Sequence, residues 1–200
     1  MYRASRLRIG ELVDDGVGAQ SVLATPKWTV HDVVGHVAGI AEDAATDNMG
    51  GAPGDDWTAA QVARARDKSI GQLFDQWAGH AAGMEAFLST PEGINASAAV
   101  VDVNTHEADL RHALGLAVAP DDEFIAWVAP ELLDGFYRAV ADGDLPPVIV
   151  EADPIDIWRG RLGRRTTEEV ARFNWSTDPT PYLDTWFLFG PRSTPLGECR

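Results

Sequence analysis

The sequence predicts a mainly α protein: an up-down bundle of four long helices, then a small α-rich extension with at most one or two short strands. Three observations carry this. Apolar residues recur at helical spacing through four long segments of residues 1–118. The breaks between those segments are rich in Gly, Pro, Ser and Thr. Beyond Pro120 only Val148-Ile149-Val150 has the β-branched character of a strand. The boundary places a bundle over 1–118 and an extension, packed on it, over 119–200. The chain has 200 residues, 45% apolar and 24% charged, the composition of an ordinary globular protein. At this length folding buries about 70% of the surface of the unfolded chain, so the core needs no disulfides or other staples.

Each element has a local reason. Arg3 to Val22 sets Leu7, Leu12 and Val13 among charged residues and reads as a first helix. Thr25-Pro26-Lys27 is a turn. Thr29 is the expected N-cap of the second helix, with Asp32 at its third position. Val33, His36, Val37, Ile40 and Ala44 then share one face. Asn48 to Asp56 is a Gly-rich loop. Thr58 is expected to cap a third helix reaching Leu88, with Val62, Leu73, Trp77, Met84 and Phe87 on its apolar side.

Ser89-Thr90-Pro91-Glu92-Gly93 breaks the chain before a fourth helix, Ala96 to Leu114. Its stripe is Ala99, Val103, Leu110, Ala113 and Leu114, and Gly115 follows as the residue that ends it. In the extension, helices are expected over Asp121–Ala141, Ile155–Leu162, Thr166–Phe173 and Pro181–Phe189. The Gly- and Pro-bearing tail 190–196 cannot be regular.

Charge and cysteine content narrow the function. Sixteen Lys and Arg against thirty-one Asp and Glu leave a net charge of −15, which repels nucleic acid and anionic membrane alike. The one basic cluster, Arg159, Arg161, Arg164 and Arg165, reads as a solvated helix end. Cys199 is the single cysteine, so no internal disulfide can form and a reducing cytoplasm fits best. Its place beside the terminus is a poor one for a preorganised nucleophile. The basic N-terminal stretch leads into no apolar run, and no stretch approaches about 18 apolar residues, so neither a signal peptide nor a membrane span is expected.

Three residues break the apolar pattern. Asp102 and His106 stand four apart, about 40° from each other around a helix, among Ala99, Val103 and Leu110. His36 lies between Val33, Val37 and Ile40. An ionised carboxylate in such a place is costly unless paired or coordinated. Two imidazoles and a carboxylate on two helices suit a divalent metal with open positions, the pattern of a catalytic rather than a closed structural site. The plainer reading is a pair of hydrogen-bonded core histidines with Asp102 paired to an arginine. His31, His80 and His112 are assigned to structure or surface. Asp109 and Arg111 either support the ligand set from behind or form a plain salt bridge. Trp57 and Trp77 read as packing, with a ligand entrance as the other possibility.

Trp28-Thr29-Val30-His31-Asp32-Val33-Val34-Gly35-His36 resembles the Trp-Thr-Val-x-Asp-Val-x-x-His opening of the mycothiol-dependent maleylpyruvate isomerase-like family of actinobacteria, one of the DinB-like metal-binding bundles. Asp102-Val103-Asn104-Thr105-His106-Glu107-Ala108-Asp109-Leu110-Arg111 is similar to its Glu-x-x-x-His-x-x-Asp-(Ile/Leu)-Arg segment. Leu114-Gly115-Leu116, Gly163-Arg164-Arg165-Thr166, Trp175 and Phe189-Gly190-Pro191-Arg192 continue the resemblance over nearly the whole chain.

The resemblance implies a DinB-like bundle in which His36, Asp102 and His106 hold a divalent metal, with zinc expected. It also implies a low-molecular-weight thiol, mycothiol in relatives, bound as thiolate and attacking a small electrophile in S-transfer or isomerisation. The competing class is a non-catalytic DinB-like binder of metal or small ligand. Asp102 departs from the usual Glu, and its side chain is one methylene shorter, so the helices must approach closer or a water must bridge. The implied partners are the thiol and the electrophile, without nucleic acid or membrane, for a cytoplasmic monomer or homodimer.

Overall fold

Capping chemistry sets where the helices of the first half begin and end. In the computed structural model, which describes residues 1–199, α1 runs Tyr2–Leu12. It stops there because Val13 turns extended (φ −129°) and the Asp14 carboxylate accepts from the Gly16 amide at 2.9 Å. The helix expected to reach Val22 is therefore shorter, and turns with one isolated bridge, Ser21 to Thr29, fill the gap.

Helix α2, Val30–Ala45, opens as expected. Thr29 Oγ1 accepts from the Asp32 amide, and the Asp32 carboxylate accepts from the Thr29 amide at 2.9 Å. The single helix expected from Thr58 to Leu88 is two, α3 (Asp55–Ala65) and α4 (Ile70–Leu88). Ser69 starts α4 with a second reciprocal cap, Ser69 with Gln72. A 3₁₀ turn, Glu92–Ala96, precedes α5, Ala98–Ala113. Gly115 follows at φ +72°, the left-handed backbone that closes many helices.

These elements, Met1–Ala119, form one compact unit together with Glu198 and Cys199. In it α2 packs on α3, α4 and α5, and α1 on α4 and α5. Contacts Ser5 to Val103 and Arg8 to Glu107 advance together, so α1 and α5 run in the same direction. His31 Nε2 pairs with the Lys68 carbonyl at 2.7 Å, so α2 and α4 start at the same end and α3 is the return connection.

The approach of α3 to α2 is close. A Cβ on Gly35 would lie 2.4 Å from the Ala65 Cβ, and one on Gly39 would lie 2.8 Å from the Gln61 side chain. The core includes Ile9, Val33, Val37, Leu73, Trp77 and Leu110. Ala44 and Phe87, assigned above to apolar faces, are exposed.

The second unit, Pro120–Gly197, is built on α6, Asp122–Asp142. The expected strand is a two-residue β1, Val150–Glu151, paired antiparallel to β2, Asn174–Trp175, with Val150 opposite Trp175. Helices α7 (Pro154–Arg161) and α8 (Thr167–Ala171) fall where expected. The last expected helix is instead a 3₁₀ turn, Thr180–Tyr182, and α9, Leu183–Trp186. Phe136, Val150, Ile157, Val170, Tyr182 and Trp186 form its core.

The basic cluster is not a solvated helix end. Arg159 and Arg161 are 0% and 2% exposed, and Arg164 and Arg165 are also buried. Tertiary partners make this tolerable. Arg161 donates to the carbonyls of Leu132, Thr185 and Trp186 and lies over the rings of Phe136 and Trp186. Arg165 Nε donates to Asp156 at 2.9 Å. Burial draws the Arg161 pKa down to about 10, which leaves it charged at neutral pH. No helix among the described residues is long and apolar enough to cross a membrane.

Candidate metal centre

Helices α2 and α5 bring the three out-of-pattern residues together. His36 and His106 are each 5% exposed, and the Asp102 side chain retains about a third of its exposure. His36 Nε2 is 3.6 Å from Asp102 Oδ2, and His106 Nε2 is 3.5 Å from Asp102 Oδ1. One ligand atom from each residue lies within 4.8 Å of the others. Two ligands about 2.1 Å from a shared ion at a tetrahedral angle stand roughly 3.4 Å apart. The separations match that spacing and exceed an ordinary hydrogen bond. The shorter aspartate therefore reaches both imidazoles, and the donor set, two nitrogens and one anionic oxygen, fits a divalent cation of borderline softness.

Behind each imidazole stands a polar partner. His106 Nδ1 is 3.1 Å from Asp109 Oδ2, and Asp109 is fully buried. Asp109 thus stands against the candidate ligand His106. Arg111 Nε pairs with Glu107 at 2.9 Å, and Arg8 grips the same carboxylate through two 2.7 Å contacts. His36 Nδ1 meets Gln61 Oε1 at 2.7 Å. Gln61 Nε2 donates to Asp43 Oδ2 at 2.8 Å, and Arg64 Nη2 donates to Asp43 Oδ1 at 2.6 Å.

Trp28 lies against both rings, its centroid 5.0 Å from that of His36 and 5.8 Å from that of His106. Gln61, Asp43 and Trp28 were not singled out as functional in the sequence. The usable signals were a polar Asp43 seven residues beyond His36 on one helix face and a tryptophan opening the His36 segment.

The remaining candidates fall elsewhere. His31, His80 and His112 are half-buried and outside the cluster. Trp77 is fully buried and donates to the Tyr2 hydroxyl at 2.9 Å, as packing predicts. Trp57 is half-buried, with its indole N–H on the Asn48 carbonyl. Burial raises the Tyr2 phenol to about 12. The Trp77 hydrogen bond and Arg6 oppose this, while Asp102 and Glu85 add to it.

Residues 3–96 match the family model described as the mycothiol maleylpyruvate isomerase N-terminal domain. The match includes Trp28, His36, Asp43 and Gln61, whereas Asp102 and His106 lie beyond it. No curated protein and no solved structure matches the chain significantly. With its α-rich fold and its clustered His36, Asp102 and His106, the chain is thus similar, over residues 3–96, to the mycothiol maleylpyruvate isomerase N-terminal domain family.

Proposed function

We propose that this chain holds one divalent cation, zinc, on His36, Asp102 and His106, and uses it with mycothiol or a related thiol to transfer to, or isomerise, a small electrophile. The observation that carries this reading is the convergence of those three donors from α2 and α5, with partners behind both imidazoles. A bound divalent cation would supply the positive charge that favours thiolate over thiol near neutral pH.

The rest is the work of this chain's own groups. Two neutral imidazoles and one carboxylate would cancel only one of the cation's two charges, leaving attraction for an anionic sulfur. Asp102, the one donor with an exposed edge, marks the side from which small molecules reach the site. Trp28 covers the two rings and keeps bulk water from their faces.

The test is elemental analysis of metal-replete protein, followed by thiol-dependent turnover of a panel of electrophiles. One equivalent of zinc with thiol-dependent conversion supports the enzyme. Stoichiometric metal without turnover would leave a binding protein, and absence of stoichiometric metal would overturn the reading altogether.

A further inference from the structure

We infer that Gln61, held by Asp43, is a positioning residue that fixes His36 in the tautomer with Nδ1 protonated and Nε2 bearing the lone pair. The argument is one of hydrogen-bond polarity. Asp43 is 1% exposed, and its Oδ1 accepts from Arg64 Nη2 at 2.6 Å and from Asn48 Nδ2 at 2.8 Å. Facing a guanidinium, it serves as a carboxylate, and a carboxylate only accepts. Its Oδ2 therefore requires the NH₂ end of Gln61, found at 2.8 Å.

The Gln61 amide cannot reverse, because that would set its oxygen against a carboxylate oxygen. Its Oε1 must then face His36 Nδ1, at 2.7 Å, and that nitrogen must donate. The lone pair is left on Nε2, the nitrogen turned toward Asp102. The bare backbone of Gly39 makes room for the relay, since a Cβ there would press on the Gln61 Cβ and Cγ at 2.8 Å.

The two imidazoles are thus backed differently. His106 has a carboxylate directly behind it, Asp109, whereas His36 has a neutral amide that passes on the polarity of Asp43. The consequence for metal affinity rests on the reading under Proposed function, but the tautomer does not.

Long-range ¹⁵N–¹H correlation of the imidazole nitrogens in the metal-free protein, at a pH where imidazoles are neutral, reads the tautomer directly. Zinc affinity is measured alongside by chelator competition. Wild type is expected to show His36 as the Nδ1–H form alone. Gln61→Met should give a mixture and bind zinc roughly 10–100-fold more weakly. Asp43→Asn, which lets the amide turn, should also give a mixture.

Wild-type His36 in the Nε2–H form would overturn the inference without any variant, so a misfolded Gln61→Met leaves it testable. A folded Gln61→Met with unchanged tautomer and affinity would overturn it as well. Absence of zinc binding in a wild type whose His36 is Nδ1–H would defeat the metal reading and leave this inference standing.

Discussion

Gly35 and Ala65 meet where α2 and α3 cross, and a methyl group on Gly35 would come within 2.4 Å of the Ala65 Cβ. Gly35→Ala should therefore cost about 1–3 kcal/mol, the usual range for overpacking. Removing the opposing methyl should restore much of that loss. In a double-mutant cycle by chemical denaturation, Gly35→Ala with Ala65→Gly should be more stable than the sum of the two single changes. Additive losses would place the strain elsewhere.

The clustered His36, Asp102 and His106, the proposed ligands, give the second prediction. His106→Ala should abolish stoichiometric zinc binding and lower stability by roughly 1–3 kcal/mol, leaving the helical content intact. Asp102→Glu, which keeps the carboxylate and lengthens its reach by one methylene, should retain or strengthen binding. Calorimetric titration of zinc into wild type and both variants decides this. Equal affinities in all three would remove these residues from any metal site.

Arg161 gives a third. Its guanidinium satisfies three carbonyls, on Leu132, Thr185 and Trp186. Arg161→Met keeps apolar volume but leaves those acceptors without this donor. The loss expected in thermal or urea unfolding of the second unit is about 2–4 kcal/mol. Arg161→Lys should recover only part of it, because an ammonium cannot span the same fork of acceptors.

Tyr2 sets an alkaline limit. With the folded phenol at about 12 and the free phenol at about 10, the folded chain keeps a proton that the unfolded chain has released. Below pH 10 both states hold it and Tyr2 adds no pH dependence. Between pH 10 and 12 stability should fall with a slope approaching about 1.4 kcal/mol per pH unit. In Tyr2→Phe that part of the slope should vanish, and the ultraviolet titration should lose its latest tyrosinate component.

Legibility in the sequence followed locality. The Thr29–Asp32 cap and the Asp102–His106 pair rest on spacings of three and four residues, which one helix realises without help from elsewhere. The break between α3 and α4 was also written locally, as Ser69 and Gln72. The polar run Arg66-Asp67-Lys68 disguised it by fitting the exposed side of a continuous helix. Arg161 could not be read as buried, because its acceptors lie on α6 and α9. The strand β2 is two residues long, too short for alternation to show. Gln61 is invisible for the same reason as Arg161, since its meaning comes from Asp43 and His36 across a helix interface.

Because His36 comes from α2 and the other two donors from α5, far along the chain, the complete set exists only when the first unit is folded. The unfolded chain keeps at most the local Asp102 and His106 pair. A cation that needs all three donors therefore selects the native state, and its binding free energy becomes folding free energy. At a free concentration one hundred times its dissociation constant it would add about 2.7 kcal/mol. The melting temperature of the first unit would then climb with metal concentration, making heat resistance itself a gauge of occupancy.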